Sequence, residues 1–193
     1  MANLSAIHSV GSSIVTYLRN SYPESLRSAH SCEFALISSG ELINVDDEGT
    51  RLTLFLYRLM VSEHLRNATR RQALTRTTSL ALDLHYLMTV WADGALAEHT
   101  ILAWAMRQLY LNPVLDISSL SPEGGWTPGD RVQVIPGELS NEEMMRIWDA
   151  LVPSYRLSFP YVARVVQIDA EPEPDHRPVV ATRFSLTDEV PQR

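Results

Sequence analysis

Between Leu80 and Val90 the chain places Leu80, Leu82, Leu84, Tyr86, Met88 and Val90 at even positions and Ala81, Asp83, His85 and Thr89 among the odd ones. Successive strand side chains point to opposite faces, so this alternation predicts a strand with an apolar stripe on one side and Asp83 and His85 together on the other. One face is core. Asp93-Gly94 then turns the chain into Ala95 to Tyr110, where Leu96, Leu102, Ala103, Met106, Leu109 and Tyr110 recur near helical spacing. Asn112-Pro113 stops the helix.

The remaining periodicities extend this pattern in both directions. Leu4, Ile7, Val10, Gly11, Ile14 and Leu18 mark one face of a first helix, Ala2 to Asn20, that packs on a sheet. Cys32 to Ile37 reads as a short strand, and Leu52 to Val61 as a longer, central one. The longer strand is apolar on both faces, with Leu52, Leu54 and Leu56 on one side and Phe55, Tyr57 and Leu59 on the other. Asp130 to Ile135 and Phe159 to Ile168 complete the strands. Ser140-Asn-Glu-Glu143 is a capping-box pattern that opens a helix with Met144, Ile147, Trp148 and Leu151 on its buried face. Ser62 to Ser79 and Ser118 to Gly129 read as exposed loops, the first rich in arginine and the second in proline and glycine. The resulting class is α+β, a mixed and mainly antiparallel sheet of about four to five strands flanked by helices.

With 193 residues, one core suffices, and the domain is expected to span 1–169. From Ala170 onward, Glu-Pro-Glu-Pro-Asp and further prolines predict a flexible tail, 170–193. No apolar run approaches the roughly 18 residues of a membrane span, and Met1 to Asn20 lacks the basic and apolar blocks of a secretory leader, so cytoplasmic synthesis is expected. The single cysteine, Cys32, excludes an internal disulfide and reads as a small core residue. Net charge is −7, with all 16 basic residues arginine, which argues against nucleic acid as the main partner.

Chemistry-bearing groups are sparse. Asp83 and His85 share a strand face and, with a third ligand from the following helix, His99 or else Glu98, would be the ligands of a metal-dependent hydrolase; the competing reading is a structural pair. Nucleotide loops of the Gly-x-x-x-x-Gly-Lys and Gly-x-Gly-x-x-Gly types are absent, as is a Gly-x-Ser-x-Gly elbow, so no enzymatic activity and no cofactor are expected. Arg66, Arg70, Arg71 and Arg76 can form a solvated loop, a nucleic-acid patch of an accessory factor, or a protein-docking surface whose stems pack on apolar neighbours.

Five words spaced in order along the chain carry a further implication: Phe55-Leu-Tyr-Arg58, Glu63-His-Leu-Arg-Asn67, Leu80-Ala-Leu-Asp-Leu-His-Tyr-Leu87, Glu98-His-Thr-Ile-Leu102 and Tyr155-Arg-Leu-Ser158. From about Leu4 to Asp169 the sequence resembles the N-terminal domain of cap, or tail-terminator, proteins of extracellular contractile injection systems. These are phage-tail-like particles such as the Photorhabdus virulence cassettes and the antifeeding prophage. The resemblance implies a tail-terminator-like fold and a structural cap that closes the upper end of the inner tube and helps anchor the last sheath layer. It also implies a homo-hexameric ring whose partners are itself, the inner tube protein and the sheath protein, assembled in the cytoplasm into a particle released outside the cell. On that basis Arg66, Asn67, Arg70, Arg71 and Arg76 are expected to dock subunits or tube, opposite acidic Asp46-Asp47-Glu48, and Val179, Val180, Ala181, Thr182, Arg183 and Phe184 to contact sheath.

Overall fold

The computed structural model describes residues 2–42, 49–62, 80–151 and 153–168. Strands β1 (Glu33–Ile37), β2 (Arg51–Val61), β3 (Leu80–Trp91), β4 (Val114–Leu115), β5 (Val132–Pro136) and β6 (Ser158–Ile168) form one sheet in the order β1-β2-β3-β6-β5-β4. β1 runs parallel to β2, and the other neighbours pair antiparallel. The sheet is thus mixed and mainly antiparallel as expected, but it has six strands among the described residues where about four to five were predicted. The addition is β4, whose two residues are too short to show a period.

Helices α1 (Ala6–Ser21) and α3 (Ala95–Leu111) cover the inner face, with the short α2 (Glu24–Ala29) leading from α1 toward β1. Ala6, Val10, Ile14 and Leu18 of α1 are fully buried against Leu52, Leu54, Leu84, Tyr86 and Met88. Burying each of the larger aliphatic side chains contributes roughly 1.5–3 kcal/mol. Gly11 lets α1 approach closely, since a Cβ there would stand 2.7 Å from Leu36 Cδ1. Leu4 lies before the helix and is 83% exposed, so the predicted apolar face begins one turn too early.

α3 departs further from its predicted face. Ile101, Leu102, Trp104, Ala105 and Leu109 are buried, while Leu96 and Tyr110 are largely exposed. Trp104 packs edge-on against Tyr22 and Phe34 at centroid distances of 4.8 and 6.0 Å, and this aromatic cluster sets the rotation of the helix.

The outer face of β3 is not simply polar. Leu87 and Trp91 are buried there with Ile37, Leu42 and Trp148, beneath helix α4 (Asn141–Ala150). The predicted capping box starts that helix: the Glu143 amide donates to Ser140 Oγ at 3.2 Å, and the Ser140 amide to Glu143 Oε2 at 2.9 Å. Trp148 is buried, with Met144, Ile147 and Leu151 packed around it as their spacing predicts. Trp91 Nε1 donates to Thr53 Oγ1 at 2.8 Å, so the buried indole is satisfied across two strands.

The segment from Ser118 to Gly129 is fastened rather than free. Ser9 Oγ donates to the Ser121 carbonyl at 2.8 Å, the Ser121 amide donates to Ser13 Oγ at 2.7 Å, and Trp126 Nε1 donates to Ser9 Oγ at 2.9 Å. Ser9 and Ser13, both buried, replace the apolar stripe of α1 with a polar seam that fits this segment. Gly124 is required at the contact, because a Cβ would lie 2.3 Å from Trp126 Nε1 and 2.9 Å from Ser9 Oγ.

Candidate functional site

Two β-bulges bracket the middle of β3. On β2 the register steps from Leu56 opposite Tyr86 to Arg58 opposite His85, leaving Tyr57 as the extra residue. On β6 it steps from Ala163 opposite Leu84 to Val166 opposite Leu82, so that residues 164 and 165 together oppose Asp83. A bulge reverses which parity faces the core. Leu59 therefore pairs with Leu84 on the inner face, not with Phe55 and Tyr57 on the outer one as strict alternation predicts.

The same device collects polar groups on the outer face beyond α4. His85 stands edge-on to Tyr57 with ring centroids 6.0 Å apart, and Arg58 is its partner across the β2–β3 ladder. Burial, helped by the charges of Arg58 and Arg164, holds the imidazole below its ordinary value of 6.5 against the opposing pull of Asp83. At neutral pH His85 is thus an uncharged ring in a cationic setting. Burial likewise raises the Tyr57 phenol.

This geometry does not assemble the predicted metal ligands. Asp83 and His85 lie on the outer face, whereas His99 is exposed on α3, in the layer over the inner face, where it pairs with Glu98 at 3.8 Å. Among the described residues no three His, Cys, Asp or Glu side chains come together as a metal site. Cys32 is half-buried against the core, and burial pushes its thiol up to about 12, leaving it protonated and poorly nucleophilic.

Below the bulges the β2–β3 pair runs on with apolar side chains in the open. Leu59, Val61 and Leu80 are 48%, 54% and 47% exposed, and Met60 is exposed beside Arg58, whose Nη2 lies 2.7 Å from its sulfur. By their pairing with Leu84 and Leu82, Leu59 and Val61 continue the inner face past the cover of the helices. Exposed apolar side chains grouped at the end of one strand pair make this end of the sheet a candidate interaction surface. Sequence reading missed it because an apolar strand residue looks the same whether covered or bare; the one hint was Arg58 in the middle of an apolar run. Arg66, Asn67, Arg70, Arg71 and Arg76, which follow directly from β2, lie outside the described residues, as do Asp46, Asp47, Glu48 and the tail residues Val179, Val180, Ala181, Thr182, Arg183 and Phe184. Among the described residues no helix is long and apolar enough to cross a membrane.

Comparison with known proteins places the fold. A sheath/tube terminator of an extracellular contractile injection system, in its extended state, aligns with a TM-score of 0.55 at 17% identity over 96% of this chain and 63% of its own. The tube-terminating cap of the anti-feeding prophage aligns with a TM-score of 0.57 at 17% identity over 92% of this chain and 60% of its own. The chain thus spans about three fifths of the length of these structures. No curated protein sequence matches it. Residues 9–182 match the model of the Pvc16 N-terminal domain, a span that takes in every described strand and almost all of α1. The chain belongs to the Pvc16 N-terminal domain family.

Proposed function

We propose that this protein is a structural cap of a contractile injection particle, closing the upper end of the inner tube and helping to anchor the last sheath layer. The observation that carries the reading is likeness over nearly the whole chain to a sheath/tube terminator and to a tube-terminating cap, joined to membership of the family. The bare apolar end of β2–β3 supports it, since a protein that works by docking needs such a surface.

In this reading the protein acts without catalysis, as a homo-hexameric ring on the tube, built in the cytoplasm and carried on a particle found outside cells. A closed ring uses head-to-tail contacts, so each copy offers two different patches. We assign one to Arg66, Asn67, Arg70, Arg71 and Arg76, which follow β2 in the sequence, and the other to Asp46, Asp47 and Glu48. Residues 1–169 form the ring unit, and the 170–193 tail reaches the sheath through Val179 to Phe184.

Electron microscopy of particles made with and without the protein is the test. Loss of the protein should leave tubes of uneven length with open upper ends, and adding it back should restore a sixfold density there. Particles with normal closed ends in its absence would sink the proposal.

A further inference from the structure

Among the described residues the sheet has two free edges, and both carry apolar side chains in the open. β1 pairs with β2 only from Arg51 to Phe55, so from Leu56 to Val61 no described strand lies on the far side of β2 from β3. That half of the strand carries the bare Leu59, Met60 and Val61. At the other end of the sheet β4 is the last strand, and Val114 is exposed on it, with Tyr110 and Leu111 just before it at the end of α3 and Ile117 just after. Tyr110 and Leu111 are 77% and 63% exposed. Pairing across the sheet puts the two edges at one level: Met60 stands opposite Asp83, Asp83 opposite residues 164 and 165, Arg164 opposite Gln133, and Gln133 opposite Val114. Directly paired residues share a face, so Met60 and Val114 both lie on the outer one. Four antiparallel pairings separate β2 from β4, so the two edges also run in the same direction. They differ in charge: exposed Arg58 reaches along β2 to the Met60 sulfur, whereas Asp116 is exposed between Leu115 and Ile117. An uncovered apolar edge is a template for another chain.

We propose that the β4 edge of one copy docks against the Leu56 to Val61 edge of β2 in the next, with Tyr110, Leu111, Val114 and Ile117 packing on Leu59, Met60 and Val61. This contact rests on the ring reading above and adds an apolar surface to its charged patches. The two edges are unlike, so the contact is head-to-tail and repeats from copy to copy, as a closed ring requires and a two-fold dimer does not. Equal level and equal direction let a rotation about an axis along the strands carry one edge to the other without a slide that would uncover either patch. The contact brings Arg58 of one copy toward Asp116 of the next. β4 is only two residues long and follows Pro113, which has no N–H, so side chains and not a long ladder supply most of the contact.

The test places Met60→Cys and Val114→Cys together in the full chain, with Cys32→Ala removing the native thiol. A disulfide needs Cα atoms within roughly 7 Å, so mild oxidation joins copies only where the two edges abut at this level. The doubly substituted protein, concentrated in solution and on purified particles, should give a ladder of multimers on non-reducing gels that ends at the closed ring. Either single-cysteine variant alone should stay monomeric, and an equal mixture of the two should stop at dimers. Independently, Leu111→Glu combined with Val114→Glu should raise the concentration needed for association about tenfold by light scattering, with circular dichroism unchanged. Dimers from one single-cysteine variant would mean a two-fold contact and overturn the proposal. So would a missing ladder, or unweakened association of the double Glu variant, while the Cys32→Ala parent assembles; in those cases the ring reading survives and only this contact falls. A parent that neither associates nor caps tubes would remove both.

Discussion

Ser9 illustrates how much one side chain can hold. It donates to the Ser121 carbonyl and accepts from Trp126, so Ser9→Ala strands a carbonyl and an indole at one stroke. We expect a loss of about 1–3 kcal/mol in urea unfolding. Gly124→Ala should cost a similar amount, about 1–3 kcal/mol, because the new methyl displaces Trp126 from the same contact. An unchanged midpoint for either variant would show the segment to be loosely held. His85 makes a pH-dependent contribution whose sign follows from its setting. Its folded value lies below the ordinary 6.5, so on acidification the unfolded chain takes the proton first and stability falls as pH drops through 6.5. His85→Gln should flatten that fall, measured as the difference between unfolding midpoints above and below 6.5. A variant with the same pH slope as the parent would place the responsible proton elsewhere.

At the scale of the element, α4 is the piece whose start depends most on local sequence. Its capping box closes as Ser140 and Glu143 dictate, and Ser140→Ala should cost about 1 kcal/mol. The helix is worth more than its cap, because Trp148 roofs Leu87 and Trp91 on the outer face of the sheet. Trp148→Ala should therefore lose about 3–5 kcal/mol and redden the fluorescence of Trp91 as water reaches it. Retained blue emission would mean that α4 is not what keeps that face dry. The β2–β3 pair shows the opposite dependence. Its strands are plain from alternation, yet the bulge at Tyr57 that turns Leu59 inward comes from pairing with β3 and leaves no trace in either strand alone.

For the whole molecule, the decisive expectation is assembly. Reversing charge at Arg70 and Arg71 together should weaken ring formation or docking at tube ends, because both lie in the patch assigned to subunit contact, while circular dichroism stays the same. The readout is the fraction of particles with closed upper ends. Fully capped particles carrying the double Arg→Glu protein would remove that patch from the assembly surface. Truncation after Asp169 separates the two halves of the proposal. Rings with poorly ordered terminal sheath would assign the tail to sheath, and a normal terminal layer would exclude it as the connector.

Sequence by itself determined what is local. Period two located the long strands, helical spacing located α1, α3 and α4, Ser140 and Glu143 located a helix start, and five ordered words pointed to a family that the match over residues 9–182 then established. Each of these depends on residues a few positions apart, so the covalent chain carries the information directly. Tertiary structure decided the rest. Which side of α3 is buried was settled by Tyr22 and Phe34, far away in sequence. Leu87 and Trp91 became core because α4 returns to cover them, while Leu59, Val61 and Leu80 stayed bare because no described element does. Asp83 and His99 read as candidate partners when distance is counted along the chain, and a sheet between the two layers keeps them apart. Burial is a property of what arrives from elsewhere, and hydrophobicity alone cannot say whether anything does.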